Sequence, residues 1–105
     1  MHMMLLLLAA CGINEDNFAD KFGALACDQY EDCEPDNFDD DYDSFDDCLD
    51  DAVPLFEEVQ DWGEEVCGID YDLATECYRD MKAMDCEEIE DGDAPPSCDD
   101  IYEDC

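Results

Sequence analysis

Apolar side chains recur along most of this chain at intervals of three and four residues, the period of a helix with one buried face. No segment alternates with the period of two that a half-buried strand requires. The first periodic segment, residues 16–32, places Phe18, Phe22, Leu25, Ala26, Tyr30 and the adjoining Cys33 on one stripe. Asn14 is its candidate N-cap, Glu15 and Asp16 suit the positive end of the helix dipole, and Pro35 stops it. An acidic connection over residues 36–43 is expected next. Ser44 and Asp47 then have the spacing of a capping box, with Asp in place of the longer Glu. Behind them Phe45, Cys48, Leu49, Ala52, Phe56, Val59 and Val66 repeat, which predicts a second helix, kinked or broken at Pro54 and weakened at Gly63. A third is expected from Asp70 or Asp72, with Leu73, Cys77, Met81 and Met84 on one face and Arg79 and Lys82 near the end where the dipole favours cations. Gly92, Pro95 and Pro96 mark a loop, after which Ser97 and Asp100 cap a short last helix carrying Ile101 and Tyr102. The expected fold is all-α: a small disulfide-stapled helical bundle of three longer helices plus a short C-terminal helix.

The pattern breaks at the N-terminus. Met4-Leu5-Leu6-Leu7-Leu8-Ala9-Ala10 is an apolar run without a polar face, far too short to span a bilayer, and it ends at Cys11. Residues Leu8-Ala9-Ala10-Cys11 resemble the lipobox of bacterial lipoproteins, in which small residues precede a cysteine that is acylated on sulfur and becomes the new N-terminus. The resemblance implies a lipoprotein signal peptide over residues 1–10, lipidation of Cys11, a lipid-anchored tether over 11–17 and a cysteine-rich helical domain over 18–105. Several acyl chains anchor a protein stably where a single one binds marginally. Gly12 after the cysteine, in place of Asp, implies the outer membrane or cell surface. The leader departs from the pattern in offering only His2 and no Lys or Arg. The competing reading makes residues 3–10 the first turns of a buried helix.

Setting Cys11 aside from nine cysteines leaves eight: Cys27, Cys33, Cys48, Cys67, Cys77, Cys86, Cys98 and Cys105. An even number in a small exported chain reads as a disulfide framework. Zinc or redox chemistry is disfavoured, since no two cysteines stand two residues apart and no histidine follows His2. Cys33 with Cys48 and Cys86 with Cys98 are the expected pairs, because each flanks a short connection containing proline.

Charge changes the picture more than any motif. Against 35 acidic residues stand three basic ones, Lys21, Arg79 and Lys82, for a net charge of −32. Such a surface repels nucleic acid, which excludes it as a partner. Three explanations fit: adaptation to saline surroundings, whose cations screen the carboxylates; a surface for a cationic protein or peptide; or a sink for divalent ions. Asp39, Asp41, Asp43, Asp47 and Asp50 fall on five ligand positions of an EF-hand-like loop, yet Ser44 replaces the turn glycine and Pro35 interrupts the entering helix. Weak, diffuse binding of Ca2+ or Mg2+ is the more economical expectation, with no other cofactor. Enzymatic readings fail on inventory, because a leaderless chain has no histidine and offers only Ser44, Thr75 and Ser97 as hydroxyl nucleophiles.

The run of Ala26-Cys27, Tyr30, Cys33, Phe38, Tyr42-Asp43-Ser44, Cys48, Cys67, Tyr71-Asp72, Cys77, Cys86, Pro96, Cys98 and Tyr102 resembles the small cysteine-rich lipoproteins of myxobacteria and related Gram-negative bacteria. That resemblance implies compartment and fold but carries no activity. The expected function is a non-enzymatic, membrane-anchored envelope lipoprotein with a structural or interaction role; the alternative is an acidic binding module for a cationic protein or peptide, or for divalent cations. Evenly spread carboxylates would favour salt adaptation, whereas a groove with exposed aromatics such as Trp62, Phe38 or Tyr42 would favour binding.

Overall fold

Helix caps set the boundaries in the computed structural model, which describes residues 12–103. The described elements are α1 (Phe18–Cys33), α2 (Pro35–Asp41), α3 (Phe45–Val66), α4 (Tyr71–Lys82), α5 (Cys86–Glu90) and α6 (Pro96–Asp99). The signal peptide expected at 1–10, Cys11 and Cys105 lie outside the described residues. Ser44 caps α3 by accepting from the Asp47 N–H, and the Asp70 carboxylate caps α4 by accepting from the N–H groups of Asp72 and Leu73. Arg79 and Lys82 occupy the last turn of α4 as the dipole argument requires. The expected all-α, disulfide-stapled class is the one formed.

Several local expectations are corrected. Asn14 caps a turn before α1 and not the helix itself: its side chain accepts from the N–H groups of Asp16 and Asn17. From Gly12 onward the stretch expected as a tether is folded. Ile13 is 4% exposed within the main core, its N–H bonded to Thr75 Oγ1, and Asn17 Nδ2 donates to the Gly12 carbonyl. The acidic connection at 36–43 is largely the helix α2, started by Pro35 in its first turn, where a missing N–H costs nothing. Phe38 anchors it by burying its ring, which a single apolar residue among acids could not announce through periodicity.

Helix α3 runs unbroken through Pro54. Pro54 and Asp50 both sit on the exposed face, so water can meet the carbonyl that proline leaves unpaired. Gly63 is not a weak point either. It is buried, and a Cβ there would come 2.5 Å from Cε1 of Tyr102, so the glycine seats that ring. Past Val66 the N–H groups of Cys67 and Gly68 both close on the Gly63 carbonyl, and Gly68, with a φ of 95°, turns the chain out of the helix. Beyond α4, a capping box of Asp85 and Glu88 builds the unexpected α5. The last helix starts at Pro96 without a side-chain cap; Ser97 donates instead to the Asp80 carboxylate. Ile101 and Tyr102 lie past that helix, where Tyr102 pairs with Ile69 in an isolated antiparallel bridge.

Helices α1 and α3 form an antiparallel pair: Cys27 is bonded to Cys48, Gly23 faces Val53, and Gln60 Nε2 donates to the Glu15 carbonyl. Gly23 permits the approach, since a Cβ there would stand 2.9 Å from Val53 Cγ2. The main core gathers Ile13, Phe18, Phe22, Ile69, Ala74, Cys77 and Ile101. Phe22 is its hub, with ring centroids 4.8 Å from Phe18, 6.0 Å from Phe56 and 5.7 Å from Tyr78. A smaller cluster of Cys27, Phe38 and Cys48 holds α2 against the pair.

The cysteine pairs differ from those expected. Cys27 joins Cys48, Cys33 joins Cys86 and Cys77 joins Cys98, and Cys67 is also disulfide-bonded. Antiparallel register explains why Cys33 does not meet Cys48: with Cys27 opposite Cys48, Cys33 lies beyond the start of α3 and reaches the N-terminus of α5. Cys98 is drawn to Cys77 because α6 packs on α4, not on α5.

Candidate functional site

The five aspartates with EF-hand-like spacing do not form a loop. Asp39 and Asp41 are on α2, Asp43 precedes the Ser44 cap, and Asp47 and Asp50 are on α3; all five are exposed. Helix α2 occupies what would be the first half of the calcium loop. Among the described residues no group of three or more His, Cys, Asp or Glu is placed to hold a metal ion. Asp41 is used locally, accepting from the Tyr30 hydroxyl.

That bond sets the one strongly shifted titration on this side of the molecule. The Asp41 carboxylate beside it, with partial desolvation, pushes the Tyr30 phenol up to about 12. Tyr42 is raised as well, by desolvation and by the Asp51 carboxylate. A phenol held neutral in the fold favours the folded state below its ordinary value of about 10, and that contribution is lost as pH climbs from there through about 12. Spectrophotometric titration should therefore show the Tyr30 tyrosinate forming late, near pH 12, and Asp41→Asn should bring it back towards the ordinary phenol range. An unchanged titration curve in that variant would remove the assignment.

The hydroxyls considered as nucleophiles are all engaged. Ser44 Oγ accepts from Asp47 N–H, Thr75 Oγ1 donates to the Tyr71 carbonyl and accepts from Ile13 N–H, and Ser97 bonds Asp80. Carboxylates are exposed on every described helix, so the acidity is not confined to one element. No described helix is long and apolar enough to cross a membrane.

One face departs from this pattern. Of the aromatics singled out in the sequence, Phe38 is only 2% exposed and Tyr42 is half-buried, but Trp62 is 54% exposed on the outer shoulder of α3. Leu55 and Val66, each 58% exposed, share that shoulder. Neither was singled out in the sequence as surface, although the signal was present: Leu55, Val59, Trp62 and Val66 stand at alternating spacings of four and three. The Trp62 ring meets Tyr102 edge-on at 6.1 Å, which fixes its position next to the Ile69–Tyr102 bridge.

Two apolar hollows lie beside this shoulder. One, of about 230 Å³, is lined by Phe22, Phe56, Val59, Met81 and Tyr102 among others. The other, of about 330 Å³, lies between Ala26 and Tyr30 of α1 and Ala52 and Leu55 of α3, with Tyr42 at its side. Ala26 of α1 and Phe56 of α3 border both.

No family model, curated protein or solved structure matches this chain.

Proposed function

We propose that the chain is a non-enzymatic, lipid-anchored lipoprotein of the cell envelope whose disulfide-stapled domain serves as an interaction module, with an acidic surface adapted to saline surroundings. The observation that carries this reading is the disulfide framework beginning close behind the lipobox-like Leu8-Ala9-Ala10-Cys11. Three disulfides between described residues, with Cys67 bonded as well, fit maturation in an oxidising compartment. Gly12 and Ile13 are already bonded into the fold, so a lipidated Cys11 would hold the domain directly against the bilayer with no slack between. The engaged hydroxyls and the histidine-free domain support a role without catalysis.

A second reading, an acidic module for a cationic protein or peptide, draws on the exposed apolar shoulder of α3 set in a carboxylate surface. Ca2+ or Mg2+ would associate with those carboxylates diffusely and be exchanged by monovalent salt.

Intact mass spectrometry of the protein from a Gram-negative membrane fraction, before and after reduction and alkylation, tests the envelope reading. Loss of residues 1–10, gain of lipid mass and oxidised cysteines are expected. An unprocessed chain with free thiols would overturn it.

A further inference from the structure

We infer that the shoulder of α3 is the docking site for an amphipathic helix whose apolar stripe is flanked by Lys or Arg. The inference rests on the reading of this domain as an interaction module, and it names the surface and the partner's chemistry.

Along α3, Phe45, Cys48, Ala52, Leu55, Val59, Trp62 and Val66 follow a heptad seam of alternating three- and four-residue steps. Its first part is covered: Cys48 is buried, and Phe45 and Ala52 pack into the cluster around Phe38. Among the described residues its second part has no such cover. Gln60 lies opposite Glu15, so the helix runs past the start of α1 at Phe18; Trp62 and Val66, beyond that point, and Leu55, beside the first turns of α1, remain more than half exposed. The intervening Val59 lines the 230 Å³ hollow and Leu55 lines the 330 Å³ one, so an apolar stripe on a second helix would find a seam to pack on and hollows for its larger side chains.

The rim specifies the occupant. Asp51, Glu58 and Glu65 stand one heptad apart, each one residue before a seam position, and all three are exposed. In paired helices such flanking positions choose the partner by charge. A second copy would set this acidic row against another, within molecules of net charge −32. An anionic membrane surface would meet the same carboxylates. A helix with Lys or Arg beside its stripe satisfies both the seam and the row.

Because a polyanion attracts any polycation, the test must separate position from charge. The probe is a synthetic peptide of about three heptads with Leu on the seam and Lys beside it, compared with a scrambled peptide of equal composition and with a Glu-flanked version. Titrations use the oxidised full chain in about 0.5 M NaCl, where non-specific attraction is screened. Trp62, the single tryptophan, reports from the face itself. The expected result is one peptide per protein, a shift of Trp62 emission to shorter wavelength, and affinity weakened by about tenfold in the L55N/V66N double variant. The scrambled and Glu-flanked peptides should bind more weakly and ignore the substitutions. Both altered residues are exposed, and an unchanged circular dichroism spectrum checks that the variant is folded.

Equal binding of the scrambled peptide, no binding of the Lys peptide, or affinity unchanged in the variant would overturn the proposal. Self-association abolished by L55N/V66N would give the face to a second copy, and vesicle binding abolished by it would give the face to a membrane; either also overturns it. A failed titration leaves the mass result untouched, and an unprocessed chain leaves the titration untouched, so the two readings fail separately.

Discussion

Reduction of the oxidised protein is expected to unfold it, with loss of most of the helical circular dichroism and of any cooperative thermal transition. The cross-links Cys27–Cys48 and Cys77–Cys98 each close 21 residues and Cys33–Cys86 closes 53. On the chain-entropy model each shorter bridge restricts the unfolded state by about 3 kcal/mol and the longer one by about 4 kcal/mol. Together they rival the whole stability of a small domain, about 5–15 kcal/mol. The native core gives little to fall back on, because carboxylates crowd a surface with three cations to offset them. High salt should partly rescue the reduced protein by screening that repulsion. A reduced chain that kept its helical signal and a sharp melt at low salt would refute this account.

Phe22→Ala is expected to cost about 3–5 kcal/mol in the oxidised protein, the range for truncating a buried aromatic. Phe22 is 6% exposed and touches three other rings, so its removal leaves a hole that none of them can fill without losing its own contacts. Urea unfolding should show a lower midpoint with an unchanged slope. The smaller cluster around Phe38 should survive, because Cys27–Cys48 ties it independently of the ring stack. A loss below about 1 kcal/mol would mean that the core relaxes around the gap, contrary to the packing described.

What the sequence made legible follows the strength of its local signals. Ser44 and Asp70 caps, the dipole-aligned Arg79 and Lys82, and the Phe18–Phe22–Leu25 stripe are each written within a few residues, and each is where it was expected. Disulfide pairing is written nowhere locally: it depends on the antiparallel register of α1 and α3, which is set by contacts such as Gly23 with Val53. Helix α2 escaped because Phe38 has no apolar neighbour at helical spacing within it. Tyr102 escaped for the opposite reason, its helix-compatible spacing being overruled by the bridge to Ile69. The candidate surface was half visible: Trp62 stood out as an aromatic among acids, whereas the exposure of Val66 follows only from where α1 begins and that of Leu55 from the face of α3 it occupies beside α1.

The order of the cross-links also dictates how this domain would carry a mechanical load. A pull between its first and last described residues can pass from Cys33 straight to Cys86, or in parallel from Cys27 to Cys48, through residues 48–77 and from Cys77 to Cys98, so the loop 34–85 is itself tied to the line of force. That loop contains α2, all of α3 and all of α4. While the disulfides hold, such a pull would therefore be shared between the two routes, and the shorter one through Cys33–Cys86 limits how far the longer one through the shoulder of α3 can stretch.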